Sequence, residues 1–300
     1  MEQKEFNQMM AAEIAGKLGD AYIVEYKDVA KGNGFIRHGI TIRNSGTDSG
    51  TMPILYSENE YKEYLEGSTI CECADRFMQK YEECRVNDSA AGSMRDKLLD
   101  WLFVRKNVYP ALISAHENQE MLSDLLHKSF MDLAVIYVIR MKDPDGNPAT
   151  VKVKPGMLKF WGVGAEEFCE AAMGNLAKDG YKILGQMDVI CHFVDRREPT
   201  PVESIVPGSM YVYTNGTAFY GAAGMLLKDR IRQVADSRNV FILPSSIHET
   251  LLIVDDGFFD QKYLDDMVKA VNRDAVAVTD RLSDHAYYYD YEDDEIRMCA

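Results

Sequence analysis

The spacing of apolar residues predicts helices over much of the first third of the chain. Near the start, apolar residues recur every three or four positions, as on one face of a helix. That face contains Phe6, Met10, Ile14 and Leu18. Gly19 and Asp20 follow and predict the end of the helix. A second stripe predicts a helix to about Arg85 and contains Ile70, Cys73, Ala74, Phe77, Met78, Tyr81 and Cys84.

The segments beside this second stripe predict where helices begin. Ser57 followed by Glu60 predicts a capping box, in which the two side chains cap the first helical turn. Small and polar residues from Val86 to Gly92 predict a flexible connection. The next helix is predicted from about Met94 to Val104.

Short apolar runs between turn residues predict strands. The first pair lies between Ala21 and Asn44, with a turn at Lys31–Gly34. Leu133–Ile139 is apolar throughout, which is typical of a strand covered on both faces. Asp143–Asn147 predicts the turn that follows it. The other predicted elements are strands at 109–114, 151–153, 210–213 and 218–221, helices at 121–126, 165–178, 228–236 and 264–271, and a surface loop at 195–207.

Strand pairs separated by single helices predict an α+β fold. We expect a mixed, largely antiparallel sheet with helices packed on it, preceded by a helix-rich N-terminal region. The predicted domains are an N-terminal α+β region over residues 1–107 and a C-terminal α+β domain over residues 108–300. The alternative is one continuous domain across both.

The segment Phe241–Asp256 carries the strongest functional signal. Two apolar runs rich in β-branched residues predict a hairpin, and a short polar stretch lies between them. That stretch contains Ser245, Ser246, His248 and Glu249, which are residue types used in catalytic sites.

Composition narrows the class of partner. The chain has 300 residues, 46% of them hydrophobic, and a formal net charge of −15. This acidity opposes direct nucleic-acid binding and docking on anionic membranes, and it leaves a basic protein partner or a nucleic-acid mimic open. No signal-peptide core follows Met1, and no apolar run approaches the length of a membrane span, so a cytoplasmic protein is expected.

The six cysteines predict neither a disulfide scaffold nor a metal site. Cys71 and Cys73 lie about 200° apart around a helix, so they cannot converge on one ion. We therefore expect structural or incidental cysteines, with no metal and no cofactor.

An ordered set of motifs, clearest from about Tyr109 onwards, resembles a known family. The motifs are Asp132-Leu-Ala-Val-Ile-Tyr137, Leu158-Lys-Phe-Trp-Gly-Val163, Glu166-Glu167, Asn175-Leu176, Tyr220-Gly-Ala-Ala223, Leu243-Pro-Ser-Ser-Ile-His-Glu249 and Leu282-Ser-Asp-His-Ala-Tyr-Tyr-Tyr-Asp290. They resemble an uncharacterised domain-of-unknown-function family of gut Firmicutes, especially clostridia. The chain is more distantly similar to the YtpQ-like family. The resemblance implies a bacterial, intracellular protein and implies no reaction.

Serine hydrolysis is one interpretation of the polar stretch. Ser246 and His248 would point to one face of an extended segment, and Glu249 or Asp284 would orient the imidazole. However, the Gly-x-Ser-x-Gly and Ser-x-x-Lys motifs of known hydrolases do not occur. In the alternative interpretation the serines make the turn, and their hydroxyls bond to backbone groups.

Metal binding is a second interpretation. His248-Glu249 begins like a zinc-protease motif, but Leu252 stands where the second histidine would be. A metal site would therefore need His285 together with Asp255 or Asp256, brought near by folding.

The segment Tyr287–Glu295 mixes tyrosines with acids. It predicts either an interaction segment or an edge strand followed by a solvated tail. We therefore expect a non-enzymatic, intracellular bacterial binding protein with a protein partner, in an oligomeric state that the sequence leaves open. The alternatives are a hydrolase or metal-dependent enzyme centred on Ser246, His248, Glu249, Asp284 and His285, and an acidic nucleic-acid mimic.

Overall fold

The computed structural model describes residues 1–46, 54–84, 88–143, 146–189, 200–202, 205–244 and 246–299. The chain forms two compact units, Met1–Phe103 with Lys142–Ala149, and Val104–Met141 with Thr150–Ala300. Helices accompany antiparallel strand pairs in both units, which confirms the predicted α+β class. Ser245 and Cys191 lie outside the described residues, as does most of the predicted loop at 195–207.

The first unit contains a three-stranded antiparallel sheet in the order β1-β2-β3. Its strands are β1 (Tyr22–Ala30), β2 (Ile36–Asn44) and β3 (Ile54–Tyr56), and its helices are α1 (Gln3–Leu18), α2 (Glu58–Leu65), α3 (Ile70–Cys84), α4 (Asp88–Leu99) and the first residues of α5 (Trp101–Asn107). A turn at Gly32–Gly34 joins β1 to β2, as predicted.

The two apolar stripes of the first unit form its core. Phe6, Met10 and Ile14 of α1 are fully buried, and they cluster with Phe77 of α3 and Ile40 of β2. Gly19 ends α1 with a φ of +71°, a conformation that glycine adopts without strain. The spacing of apolar residues predicted these two helices because burial of that face stabilises them.

Polar details of this unit differ from the predictions. Ser57 does not cap α2; its buried hydroxyl instead donates to Asn7 Oδ1 at 2.7 Å, since the buried amide needs a partner.

The bounds of α4 and α5 also differ from the prediction. Helix α4 already begins at Asp88, so the connection predicted through Gly92 is wrong from that residue on. Asp100 splits the helix predicted over 94–104, because its carboxylate accepts from Leu102 N at 2.9 Å and starts α5.

The second unit contains two sheets. A six-stranded sheet has the order β13-β12-β10-β11-β9-β8, and in a four-stranded sheet β6 pairs with β4, β5 and β7. The strands are β4 (Val108–Ser114), β5 (His127–Phe130), β6 (Leu133–Lys142), β7 (Pro148–Lys152), β8 (Lys182–Gly185), β9 (Met210–Thr214), β10 (Val240–Leu243), β11 (Thr250–Val254), β12 (Tyr287–Asp290) and β13 (Glu295–Met298). Residue 142 of β6 and residues 148 and 149 of β7 are counted with the first unit. The helices are α6 (Gln119–Asp124), α7 (Pro155–Trp161), α8 (Ala165–Leu176), α9 (Lys228–Ala235) and α10 (Gln261–Asp274), with short 3-10 helices at Gly221–Leu226 and Val278–Asp280.

Apolar packing confirms the predicted elements on either side of the hairpin. Phe241, Leu243 and Ile253 of β10 and β11 pack against Leu264 and Val268 of α10. Strand β6 is buried along most of its length, as its continuous apolar run predicts. The predicted β10–β11 hairpin is therefore an interior part of the large sheet.

Two predictions in the second unit are wrong. Ala218–Gly221 is not a strand, because positive φ values of 50° at Ala218 and 53° at Tyr220 turn the backbone into the 3-10 helix Gly221–Leu226. The helix at 121–126 ends early at Asp124, since Leu125 has an extended backbone.

The tyrosine-rich segment is neither an edge strand nor a solvated tail. Strand β12 lies between β10 and β13, and the rings of Tyr287 and Tyr289 are fully buried. Tyr287 donates to Asp132, and Tyr289 donates to Asp294 at 2.6 Å. Because alternate tyrosines point into the core, the segment is mainly structural.

Candidate functional site around His248

The polar stretch between β10 and β11 is fixed by backbone contacts to two other segments. Ile247 N donates to Asp280 O at 2.8 Å, and Ser283 N donates to Pro244 O at 3.2 Å. From the other side, Ala222 N donates to Ile247 O at 3.2 Å. Three of the motifs noted in the sequence, those of residues 220–223, 243–249 and 282–290, therefore meet here.

Gly221 permits the closest of these contacts. A Cβ atom at this position would lie 2.2 Å from His248 O and 2.3 Å from Thr214 Oγ1. Thr214 Oγ1 itself donates to His248 O at 2.9 Å. Only glycine fits between β9 and the histidine backbone, so the Tyr220-Gly motif has a steric cause.

The hydroxyl of Ser246 is engaged in local bonds. Ser246 is 5% exposed, its Oγ accepts from His248 N at 3.0 Å, and it also bonds to the Glu249 carboxyl. No hydrogen bond joins this hydroxyl to the His248 ring in the described part of the chain. The arrangement is that of a turn serine, and it lacks the contact between nucleophile and base that serine catalysis requires.

His248 lies between aromatic rings and an acid. Its ring centroid is 5.4 Å from that of Phe219 and 6.3 Å from that of Tyr220. Its Nε2 atom is 3.7 Å from Asp280 Oδ2, while its buried Nδ1 atom has no hydrogen-bond partner within the described residues. One edge of the imidazole thus faces a carboxylate, and the ring completes an aromatic surface.

Glu249 adds a second carboxyl group, which interacts electrostatically with His248 and Asp280. Burial raises the pKa of Glu249, the nearby His248 and the Ser246 hydroxyl oppose that rise, and the charge of Asp280 adds to it. A positive charge placed near this partly buried carboxyl would stabilise its ionised form. Phe219, Tyr220, His248, Glu249 and Asp280 are called the His248 cluster below.

A buried ion pair positions Phe219 in this cluster. Arg140 Nη1 donates to both oxygens of Asp179 at 2.8 Å. Asn215 Nδ2 donates to Asp179 Oδ2 at 2.8 Å and to Phe219 O at 2.9 Å. Arg140 Nη2 reaches the same carbonyl at 3.4 Å. These bonds hold the Phe219 backbone, while its side chain remains 37% exposed.

Asp284 and His285 do not join the His248 cluster through any contact of the described residues. Asp284 Oδ1 accepts from Asn272 Nδ2 at 2.7 Å, and His285 N donates to Ser283 Oγ at 3.0 Å. Both contacts organise the approach to β12. Their role as site residues stays a prediction.

The described residues contain no group of three His, Cys, Asp or Glu side chains arranged to hold a metal ion. The two acids considered for such a site have other contacts. Asp255 Oδ2 accepts from Tyr288 OH at 3.0 Å, and Asp256 Oδ1 accepts from Phe258 N at 3.1 Å.

Sequence reasoning missed Phe219 and Asp280. Phe219 precedes the Tyr220-Gly-Ala-Ala223 motif directly, and Asp280 comes just before the last one. Their positions beside two of the motifs were a signal that could have found them. No rule of sequence spacing, however, links either residue to His248.

Comparison with known proteins identifies the family. Residues 3–291 match the family described as a family of unknown function, DUF5688. The chain belongs to the DUF5688 family. Neither the curated proteins nor the solved structures include a match to this DUF5688 chain. In the described part of this DUF5688 protein, no helix is both long and apolar enough to cross a membrane.

Proposed function

We propose that this DUF5688 protein is a non-enzymatic binding protein that accepts a positively charged group of a partner at the His248 cluster. The observation that carries the proposal is the Asp280 carboxylate, 3.7 Å from His248 Nε2, with the Phe219 ring packed near the His248 ring. The Glu249 carboxyl interacts electrostatically with both His248 and Asp280 and adds a second acid. Carboxylates bind ammonium and guanidinium groups through charge-assisted hydrogen bonds, and aromatic faces attract the same cations.

The whole-chain charge supports the same class of partner. With a net charge of −15, the protein attracts basic molecules and repels phosphate backbones. We accordingly propose a basic protein partner and no direct nucleic-acid binding. A cationic side chain of that partner, lysine or arginine, is the group that the cluster would receive.

Acid–base catalysis is the second candidate, and one observation favours it. Glu249, whose pKa is raised by burial, lies next to His248, and such pairs occur in active sites. The Ser246 hydroxyl already bonds to His248 N and to the Glu249 carboxyl, which argues against a serine hydrolase. The binding function therefore remains the stronger proposal.

We also propose that the protein works in the cytoplasm of a Firmicutes bacterium and is distantly related to the YtpQ-like family. The support is the ordered set of sequence motifs, because the families they resemble are bacterial and intracellular.

An NMR titration with N-acetyl-arginine amide tests the binding function. Aromatic signals of His248 and Phe219 should shift with a Kd in the millimolar range, as expected for one isolated contact, and neutral N-acetyl-leucine amide should shift them far less. Asp280→Asn should weaken arginine binding at least about threefold. Asp229→Asn, which removes an exposed acid from α9, is the matched control. Equal shifts with both amides, or equal binding by both variants, would reject the proposal.

A further inference from the structure

A second surface of the same unit presents an exposed phenylalanine. The Phe258 side chain is 91% exposed, although phenylalanine is usually buried. Its neighbour Phe259 packs against the core, with its ring 6.5 Å from that of Phe241. The exposed Phe258 ring therefore lies next to a residue, Phe259, that is packed against the core.

Hydrogen bonds hold Phe258 in this position. Gly257 N donates to Asp255 Oδ1 at 2.9 Å, and Phe258 N donates to Asp256 Oδ1 at 3.1 Å. Asp255 also accepts from Tyr288 OH at 3.0 Å, which ties the turn to the sheet. These bonds fix the backbone that presents the Phe258 ring, so less backbone conformational entropy is lost when the ring anchors a partner.

Two more exposed apolar side chains belong to adjoining segments. Val206 is 60% exposed and Tyr263, in the first turn of α10, is 57% exposed. The segment of Val206 lies against the Phe258 turn, since Gly208 N donates to Val254 O at 3.1 Å and Gly208 abuts the Asp256 carboxylate. Val206, Phe258 and Tyr263, with the acids of residues 255–266, are called the Phe258 surface.

The charge of this surface selects its partner. Residues 255–266 contain five aspartates and one lysine. A second copy of the chain would bring the same acids to the contact, and like charges facing each other oppose association. A basic segment would be attracted, and an apolar side chain within it would cover Phe258.

We propose that the Phe258 surface docks a basic protein segment that also carries apolar side chains. This inference deepens the proposed function and rests on it for the cationic character of the partner. The two sites lie at opposite ends of β11, because Glu249 precedes Thr250 and Asp255 follows Val254. Variants can therefore test them separately.

The test uses fluorescence anisotropy with two labelled peptides of equal charge. In one peptide arginine alternates with leucine, and in the other arginine alternates with serine. The full-length protein should bind the leucine peptide more tightly. Phe258→Ala should weaken that binding about tenfold, as expected for an aromatic anchor, and should barely change binding of the serine peptide.

Phe160→Ala is the matched control, because Phe160 is also exposed, at 63%, but lies in α7. It should leave binding of both peptides unchanged. Equal effects of Phe160→Ala and Phe258→Ala would overturn the proposal, as would sedimentation showing a dimer that only Phe258→Ala dissociates. If Asp280→Asn leaves arginine amide binding unchanged while Phe258→Ala still weakens binding of the leucine peptide, the His248 proposal fails and docking at the Phe258 surface stands. If Asp280→Asn weakens amide binding but Phe258→Ala leaves peptide binding unchanged, only the Phe258 proposal fails.

Discussion

Gly221 shows how a single residue sets the geometry of the His248 cluster. We expect Gly221→Ala to lower the free energy of unfolding by about 1–3 kcal/mol, since its Cβ would overlap His248 O and Thr214 Oγ1. Urea denaturation measures the change. Gly174→Ala in α8 is the control, because nothing lies within 4 Å of its Cβ position and alanine favours helices. Equal stability of the two variants would contradict the steric account.

Glu249 gives the fold a predictable pH dependence. Its pKa is raised by burial, so as pH rises above about 4.5 the unfolded chain releases this proton before the folded one does. The stability of the native protein should therefore fall across that range relative to Glu249→Gln, which has no proton to lose. Thermal melts at a series of pH values measure the difference. Glu292→Gln, at an exposed position, is the control and should show the same pH dependence of stability as the native protein.

At the residue scale, the sequence indicated only the local part of the site. Ser246, His248 and Glu249 are neighbours in the chain, so their proximity was predictable. Phe219 and Asp280 reach His248 through folding over long separations. The engagement of the Ser246 hydroxyl with His248 N and Glu249 depends on turn geometry, which residue types alone do not determine.

Strand β13 stabilises the sheet at the element scale. Deleting residues 292–299 removes its pairing with β12 and the Asp294 partner of Tyr289. We expect the free energy of unfolding to fall by a few kcal/mol, since each lost hydrogen bond contributes about 1 kcal/mol. Chemical denaturation monitored by tyrosine fluorescence would measure it.

A point variant serves as the control for this deletion. Glu295→Ala keeps the β13 backbone and changes an exposed side chain, so its stability should match that of the native protein. An unchanged midpoint for the deletion would mean that the segment acts as the solvated tail predicted from the sequence.

Elements were predictable where one apolar periodicity dominated. Helices α1, α3 and α10 follow this rule, and so does β6. The rule failed where local polar contacts determine the ends of an element, as at Asp100, which splits one predicted helix into two. It also failed at Ala218–Gly221, where positive φ values turn the backbone and Gly221 lies against His248 O. The pattern of apolar residues does not indicate such backbone angles.

The net charge of −15 has a consequence for the whole molecule. Mutual repulsion of surface carboxylates opposes the compact state, and salt screens it over a Debye length of about 10 Å at 0.1 M. We expect the Tm to rise by a few degrees between about 0.01 M and 0.1 M sodium chloride, measured by differential scanning fluorimetry. A Tm that falls with salt would show that attractive ion pairs outweigh this repulsion.

The order of the large sheet also bears on how the protein is made. Strands β8 to β11 leave the ribosome before β12, which pairs along the free side of β10. Until then the wholly apolar Val240–Leu243 strand exposes an unpaired edge, the kind of surface that recruits other chains. Nascent chains stalled before Tyr287 should therefore depend most on chaperones. Once β12 has paired with β10, the edge is covered and the tendency of newly made protein to aggregate should fall.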